Sequence, residues 1–258
     1  MPEVLRCDAV GPVAQVRLNR PDVRNALDSE LIEQLRSTFE RLAGDPTVRA
    51  VVLSGEGKAF CGGADVAMMR ESLDLTREDN VAGGRALSAM FRAIDCCPKP
   101  VVAKIHGAAL GGGAGLAAVC DIAIAASDAV FGFTEVKLGI TPAVISPFVL
   151  AKIGASHARA VFLTGERFEA KRAQAIGLVH EVVVADTLDV AVERVINEIL
   201  SAGPNAIAAA KKLIPRVRET PYDETFELTA EATAAQRVSD EGQEGLRAFL
   251  ERRPPSWK

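Results

Sequence analysis

The stretch of sequence that decides the fold is Gly107-Ala108-Ala109-Leu110-Gly111-Gly112-Gly113-Ala114-Gly115. It follows an apolar run at residues 100–105, which predicts a buried strand, and it leads into the apolar helix pattern Leu116-Ala117-Ala118-Val119. Glycine adopts backbone angles that other residues avoid, and it lets a ligand approach the main chain closely. Because the first N–H groups of a helix have no partner inside the helix, this stretch predicts a loop that binds negative charge.

A second glycine-rich segment lies in the same setting. The predicted buried strand at residues 50–53 is followed by Gly55-Glu56-Gly57-Lys58-Ala59-Phe60-Cys61-Gly62-Gly63-Ala64-Asp65. Two such loops side by side would supply a pair of converging N–H donors.

Neither segment matches the common glycine motifs. The phosphate loop of nucleotide hydrolases needs lysine followed by serine or threonine, whereas Lys58 is followed by Ala59. A dinucleotide-binding fingerprint would need a glycine at Leu116 and an acidic residue about 20 residues later. The serine-hydrolase pattern Gly-x-Ser-x-Gly is absent from the sequence. A nicotinamide cofactor is therefore not expected.

The rest of the first two thirds of the chain alternates strand and helix patterns. Residues 13–18 alternate like a half-buried strand, and residues 27–42 have the apolar spacing of a helix, with Asp28 available as its N-cap. Residues 122–126 predict a further strand. Because the predicted strands are rich in Val, Ile and Ala, they suit a sheet that is covered on both faces. The predicted fold class is therefore α/β.

The pattern changes after about residue 185. Four helices with no strand between them are predicted there, at residues 186–200, 206–218, 220–238 and 240–253. We divide the chain into a core at residues 1–196 and a helical region at residues 197–258. The helical region is predicted to pack against the core or against another subunit.

The composition excludes several kinds of partner. Lys and Arg total 30 against 34 Asp and Glu, so the net charge of −4 supplies no broad positive surface for nucleic acid or an acidic membrane. The longest apolar stretch, at residues 107–120, is too short to span a bilayer. Residues 1–7 lack the apolar run of a signal peptide. We therefore expect a cytoplasmic protein with no membrane or nucleic-acid partner.

The cysteines are odd in number and include one adjacent pair: Cys7, Cys61, Cys96, Cys97 and Cys120. Their spacing matches no zinc site. We interpret them as reduced packing thiols of a metal-free protein.

Four segments together resemble the enoyl-CoA hydratase/isomerase (crotonase) family, in the order and spacing of that family. They are Asn19-Arg20-Pro21-Asp22-Val23-Arg24-Asn25-Ala26-Leu27, Lys58-Ala59-Phe60-Cys61-Gly62-Gly63-Ala64-Asp65, Ala109-Leu110-Gly111-Gly112-Gly113 and Phe131-Gly132-Phe133-Thr134-Glu135-Val136-Lys137-Leu138-Gly139. The resemblance covers essentially the whole chain. It implies a spiral of repeated strand-strand-helix turns, with a helical C-terminal region that assembles trimers, often paired into hexamers. It also implies a coenzyme A thioester as substrate, with no separate cofactor.

The resemblance assigns roles within the site. The donors to the thioester oxygen are the N–H groups of Ala64 and Gly112, and Glu135 matches the catalytic glutamate. Two donors let that oxygen carry negative charge, which makes the adjacent proton more acidic and Cβ more electrophilic. The expected substrate contacts are Arg24, Ala26, Gly63, Asp65, Val66, Gly111, Gly115, Phe249 and Arg252. The last two match the tail that reaches the adenine bound to a neighbouring subunit.

Glu135 lies between the apolar run Phe131-Gly132-Phe133 and Val136. Partial desolvation there would raise its pKa toward the range of a general base. A loop carboxylate that pairs with Lys137 is the alternative interpretation. His106 and Asp121 are interpreted as structural residues.

The sequence departs from the family pattern at Gly115, where hydratases of the standard type carry a second glutamate. Either Glu135 alone activates water and returns the proton, or another acid takes part. The candidate acids are Glu71, Asp74, Glu78 and Asp79. A glutamate introduced at Gly115 is expected to raise activity on short enoyl-CoAs.

A second departure is Pro142-Ala143-Val144-Ile145-Ser146-Pro147-Phe148, where many members have a glycine-rich stretch. Together with residues 239–250, it is most similar to bacterial methylglutaconyl-CoA hydratases, whose substrate carries a distal carboxylate that a cation should meet. We therefore predict a hydro-lyase that adds water reversibly to a 2-enoyl-CoA, in fatty acid or branched-chain acyl-CoA metabolism. The alternatives are a double-bond isomerase that uses one glutamate and a non-catalytic acyl-CoA-binding oligomer.

Overall fold

The computed structural model describes residues 3–258, so Met1 and Pro2 of the predicted core lie outside it. The strands are β1 (Leu5–Val10), β2 (Val13–Leu18), β3 (Ala50–Gly55), β4 (Val101–Ile105), β5 (Ala108–Leu110), β6 (Ile122–Ala126), β7 (Val130–Gly132), β8 (Arg167–Glu169) and β9 (Glu181–Val183). The helices are α1 (Ser29–Gly44), α2 (Val66–Glu71), α3 (Arg77–Asp95), α4 (Gly112–Val119), α5 (Ser146–Thr164), α6 (Ala170–Ala175), α7 (Leu188–Ser201), α8 (Pro204–Glu219), α9 (Thr225–Val238) and α10 (Asp240–Glu251). None of the helices in residues 3–258 is both long and apolar enough to cross a membrane.

The main sheet has six strands in the order β1-β2-β3-β4-β6-β9. β1 and β2 form an antiparallel hairpin, and each later strand joins in parallel. Because side chains alternate along a strand, Val51 and Leu53 enter one hydrophobic cluster, while Ala50 and Val52 enter another. The prediction of a sheet covered on both faces is confirmed.

A smaller sheet has three strands in the order β5-β7-β8. β7 pairs in parallel with β5 and antiparallel with β8. An isolated bridge joins Cys61 to Ala109, and another joins Leu27 to Ala64. The first bridge links the two glycine-rich segments and so places their turns side by side.

The first helix, α1, follows directly from its sequence. The Asp28 side chain accepts a hydrogen bond from the Leu31 N–H (2.8 Å) and caps the helix. Leu31, Leu35 and Phe39 are buried at helical spacing, and α1 packs against α3. The predicted helix at residues 27–42 and its N-cap are confirmed.

The C-terminal part of the chain consists of four α-helices with no strand between them, as predicted. α7 buries Leu188, Val192 and Ile196 against the sheet, so the predicted boundary at residue 196 falls inside this helix. No residue of α8 or α9 is buried in the described chain. These two helices therefore keep a broad surface outside the core.

Asp121 ties the helical layer to the main sheet. Its Oδ2 accepts a hydrogen bond from the Val101 N–H of β4 (2.7 Å) and another from Lys211 Nζ of α8 (2.7 Å). The predicted structural role of Asp121 is confirmed.

All five cysteines carry free thiols. Burial raises the pKa of Cys61 and of Cys120 to about 12, so both thiols stay protonated at neutral pH. Their contribution is packing within the core.

Candidate active site

Ala64, near the end of the glycine-rich segment at residues 55–65, has a free N–H group. The Leu27 N–H donates to Gly63 O (2.7 Å), and the Asp65 N–H donates to Leu27 O (3.0 Å), so the residues on both sides of Ala64 are fixed. No acceptor within residues 3–258 takes the Ala64 N–H. A positioned backbone donor is therefore left for a ligand.

Gly112 begins α4 and provides a second free N–H group. The preceding Gly111 has a φ of 50°, which favours glycine, and its own N–H donates to Gly132 O of β7 (2.8 Å). The Gly112 N–H has no acceptor in the part of the chain that the structure describes. The bond to β7 fixes the direction in which this second donor points.

The two donor loops touch each other. A Cβ built at Gly63 would lie 3.0 Å from Leu110 O and 4.0 Å from Gly111 Cα. A side chain at Gly63 would therefore push the loops apart. Their contact places the free N–H groups of Ala64 and Gly112 one residue beyond Gly63 and Gly111.

Glu135 lies against the glycine-rich loop at residues 107–115. It begins a short 3-10 turn, Glu135–Leu138, that follows β7. Its Oε1 is 3.3 Å from the position of a Cβ built at Gly111, next to the Gly112 donor. Its Oε2 is buried and has no hydrogen-bonding partner among the described residues, so pairing with Lys137 is not observed. Burial raises the pKa of this carboxyl above its ordinary value.

Gly115 lies one turn along α4, and its N–H donates to Gly111 O (3.0 Å). A Cβ built there would overlap the Cγ2 methyl of Ile145, and it would lie 3.0 Å from Ile145 Cβ and 3.1 Å from Phe91 Cζ. Ile145 and Phe91 are both buried. Packed apolar side chains therefore fill the position of a side chain at Gly115, which argues against the expectation that a glutamate introduced there alone raises activity.

The candidate acids lie at the end of α2, in the following turn and at the start of α3, and they have other surroundings. The Asp79 carboxylate accepts hydrogen bonds from the Thr76 N–H and hydroxyl and closes the N-terminus of α3. Glu71 lines a surface groove together with Arg20 and Asp28. Asp74 and Glu78 are exposed. None of the four donates to Glu135, whose Oε2 is unpartnered in residues 3–258.

The sequence interpretation missed Arg20, which organises the first donor. Its guanidinium forms ion pairs with Asp28 (2.9 Å) and with Asp65 (2.9 Å). Asp65 also caps α2 by accepting from the Ala67 N–H (2.7 Å). Burial opposes the charge of Asp65, but the hydrogen bonds from Ala67 and Arg20 outweigh it and lower the pKa of this carboxyl. Part of this signal was available, because Asp28 is the predicted N-cap of the helix at residues 27–42.

The side chain of Asn25 anchors the predicted substrate loop at residues 24–26 by hydrogen bonds to the neighbouring segment. Asn25 is fully buried, and its Nδ2 donates to Glu56 O (2.9 Å) and to Ala59 O (2.8 Å). Arg24 and Asn25 both have a φ of 55°, so the chain turns sharply here. The turn leaves Arg24 exposed and buries Ala26.

Three of the predicted substrate-contact residues lie at the start of α2 or on α10, outside the two glycine-rich loops. Val66 is exposed at the start of α2. Phe249 is 81% exposed on α10, and Arg252 ends that helix. α10 packs mainly against α9 and α8, so within one chain Phe249 and Arg252 belong to the helical layer. His106 has a structural contact, with its Nε2 3.0 Å from Gly57 O.

Two N–H donors beside a carboxyl of raised pKa define an enzyme site that can stabilise an oxyanion and move a proton next to it. The family model described as Enoyl-CoA hydratase/isomerase matches residues 8–258. The chain therefore belongs to the enoyl-CoA hydratase/isomerase family.

Relatives in sequence and in structure cover nearly the whole chain. The short-chain-enoyl-CoA hydratase of Clostridium acetobutylicum is 34% identical over 94% of this chain and 93% of its own. The crystal structure of an enoyl-CoA hydratase from Shewanella pealeana matches with a TM-score of 0.95 and 38% identity, over 99% of this chain and 96% of its own. Pseudomonas aeruginosa AtuE matches with a TM-score of 0.95 and 37% identity, over 99% of each chain. The predicted family and its fold are confirmed.

Proposed function

We propose that this chain adds water reversibly across the C2=C3 double bond of an enoyl-CoA thioester. The observation that carries the proposal is the buried, unpartnered carboxyl of Glu135 beside the free N–H of Gly112. The hydratase names of the relatives support the same reaction.

The proposed reaction uses these groups in two proton transfers. The N–H groups of Ala64 and Gly112 bind the thioester oxygen and stabilise negative charge on it. Ionised Glu135 takes a proton from water while the water oxygen bonds to Cβ, and the C=C electron pair moves to form an enolate. Glu135 then returns the proton to Cα, where the enolate electrons form the new C–H bond. The thioester is restored, and Glu135 is ionised again.

The experiment follows the absorbance of the conjugated thioester when purified protein meets a short 2-enoyl-CoA. We expect the absorbance to fall and the product mass to rise by one water. Unchanged absorbance with every enoyl-CoA tested would overturn the proposal.

A double-bond isomerase is the second candidate, and one observation favours it. Glu135 has no carboxyl partner, and Ile145 fills the place beside Gly115. A single base is enough to take a proton from one carbon and return it to another. A product of unchanged mass with a shifted double bond would identify the isomerase. A third candidate, a non-catalytic acyl-CoA-binding oligomer, predicts binding with no change in the thioester.

For the substrate, we propose methylglutaconyl-CoA or a related branched enoyl-CoA. The support is the resemblance of residues 142–148 and 239–250 to hydratases of such substrates. A panel of straight-chain, branched and distally carboxylated enoyl-CoAs tests this choice. The highest kcat/KM is expected for a branched thioester with a distal carboxylate, and a preference for straight chains would contradict it.

We also propose that the chain works as a homo-oligomer, either a trimer or a dimer of trimers. α8 and α9 bury no residue within the described chain, and large apolar side chains are exposed around them. These include Ile214, Tyr222, Phe226, Phe249 and Leu250. Because exposed apolar surface of this kind marks interfaces, we expect light scattering to give three or six times the chain mass. A monomer would contradict the proposal.

Each proposed step uses only groups of the chain and the substrate. We therefore propose that no metal or separate cofactor takes part. We also propose that the protein is cytoplasmic, a compartment that suits its five free thiols. Dialysis against EDTA should leave the rate unchanged. A loss of activity that returns with an added metal would contradict this part of the proposal.

A further inference from the structure

The two departures from the family pattern meet in space. Gly115 belongs to α4, whereas Ile145 immediately precedes α5, thirty positions later in the chain. Nevertheless, a Cβ at Gly115 would overlap the Ile145 Cγ2 methyl. The missing side chain at Gly115 and the bulky side chain at Ile145 therefore form a matched pair.

Ile145 and neighbouring aromatic residues belong to one hydrophobic cluster around this position. Phe91 of α3 comes within 3.1 Å of the same Cβ position, and the Phe91 ring stacks on Phe148 of α5, with 5.6 Å between centroids. Ile145 is only 3% exposed. Because such packed side chains cannot swing away without leaving a void, the position beside Gly115 is closed to a carboxyl group.

This closed position lies next to the proposed chemistry. Gly111 and Gly115 are one helical turn apart, joined by the hydrogen bond from Gly115 N–H to Gly111 O. A Cβ built at Gly111 would lie 3.3 Å from Glu135 Oε1, and one built at Gly115 would meet Ile145. Ile145 and the Glu135 carboxyl therefore lie beside two positions of the chain that are one helical turn apart.

From this geometry we infer that Ile145 keeps the site to one carboxyl, because its side chain occupies the space that an acid at position 115 would need. The inference rests on the proposed function, because it names the residue that sets how many acids take part. It predicts that the family's second glutamate can be installed only together with a smaller residue at position 145.

The test is a cycle of four proteins: the parent chain, Gly115→Glu, Ile145→Ala and the double variant. We expect Gly115→Glu alone to lower the Tm and to reduce kcat/KM for a short 2-enoyl-CoA at least tenfold. The double variant should recover the Tm relative to Gly115→Glu and exceed both single variants at least tenfold in kcat/KM. Its pH profile should gain a second ionisation, which a purely structural repair would not produce.

The matched control is a glycine-to-glutamate substitution at a helical position where no other atom is close. Gly83 is also a helical glycine, in α3, and a Cβ built there meets nothing within 4 Å. Gly83→Glu should therefore leave the Tm nearly unchanged. Should Gly115→Glu fail to fold, Gly115→Ala replaces it, because its Cβ alone meets Ile145. That variant should lose Tm, and Ile145→Ala should restore it.

Two results would overturn the inference. One is a Gly115→Glu protein with the parent Tm and equal or higher kcat/KM. The other is a double variant whose Tm and kcat/KM equal the sum of two independent effects. The Tm measurements need no substrate. They therefore still test the packing of Ile145 against a side chain at position 115 if the parent chain hydrates no enoyl-CoA and the proposed function fails.

Discussion

The Glu135 carboxyl is packed against Gly111, with Oε1 3.3 Å from the position that a Cβ at Gly111 would occupy. Gly111 also holds the positive φ that starts α4 and aims the Gly112 N–H. One glycine thus sets the position of a proposed acid–base group relative to a proposed oxyanion donor.

Gly111→Ala tests that relationship. The new methyl group would push on Glu135 Oε1 and strain a backbone with a φ of 50°, at a cost of about 1 kcal/mol or more in the free energy of unfolding. We expect kcat on a 2-enoyl-CoA to fall at least tenfold. Gly11→Ala is the control, since Gly11 has a φ of 57° with nothing within 4 Å. It should cost similar stability and leave kcat unchanged. Equal kcat losses in the two variants would contradict the account.

The raised pKa of Glu135 predicts a pH-dependent stability. Because burial favours the neutral carboxyl, the folded protein binds this proton more tightly than the unfolded chain, and ionisation of Glu135 destabilises the fold. The stabilising contribution is complete below the ordinary pKa and is lost as pH rises through the raised value. Glu135→Gln should therefore raise the Tm at pH 7, and the gain should vanish below about pH 4.5. Calorimetry across this range that shows equal Tm values at pH 7 would refute the prediction.

Arg20 should matter to both stability and activity. Arg20→Ala leaves Asp65 buried without its cation and loosens the turn that carries the Ala64 donor. We expect a loss of about 1–3 kcal/mol in the free energy of unfolding and roughly a tenfold fall in kcat/KM.

The control for Arg20 is a surface ion-pair residue. Arg36 pairs with Glu33 and Glu40 on the outer face of α1. Arg36→Ala should cost less than about 1 kcal/mol and leave kcat/KM unchanged. Urea titration and steady-state kinetics on both variants compare the two sites, and equal effects would contradict a special role for Arg20.

Local signals in the sequence predict much of the fold. The Asp28 cap, the apolar spacing of α1 and the valine-rich strands β3 and β4 depend on neighbours along the chain. Other elements lack such signals. β5, β7 and β8 have three residues each, too few to show alternation, and Gly83 and Gly84 interrupt the helical pattern of α3.

The residues of the candidate site also divide into those that the sequence indicates and those that only the folded structure brings together. The glycine-rich segments are recognisable from their own composition, whereas Glu135 is identified through the resemblance of residues 131–139 to the family. The Arg20–Asp65 ion pair and the Ile145–Gly115 packing join residues 45 and 30 positions apart, and these distances arise only when the sheets and helices assemble. The expectation that a glutamate at Gly115 raises activity could not take this packing into account, since a missing side chain in the sequence does not show what fills its place.

The central claim is that Glu135 transfers the protons during hydration of an enoyl-CoA. The most direct test compares the parent chain with Glu135→Gln on the enoyl-CoA that the parent hydrates fastest, following the conjugated-thioester absorbance after both proteins are shown to be folded. We predict that the variant loses about 10²-fold or more in kcat, because the amide cannot accept the proton of water. A folded Glu135→Gln protein that hydrates the substrate at the parent rate would contradict the account.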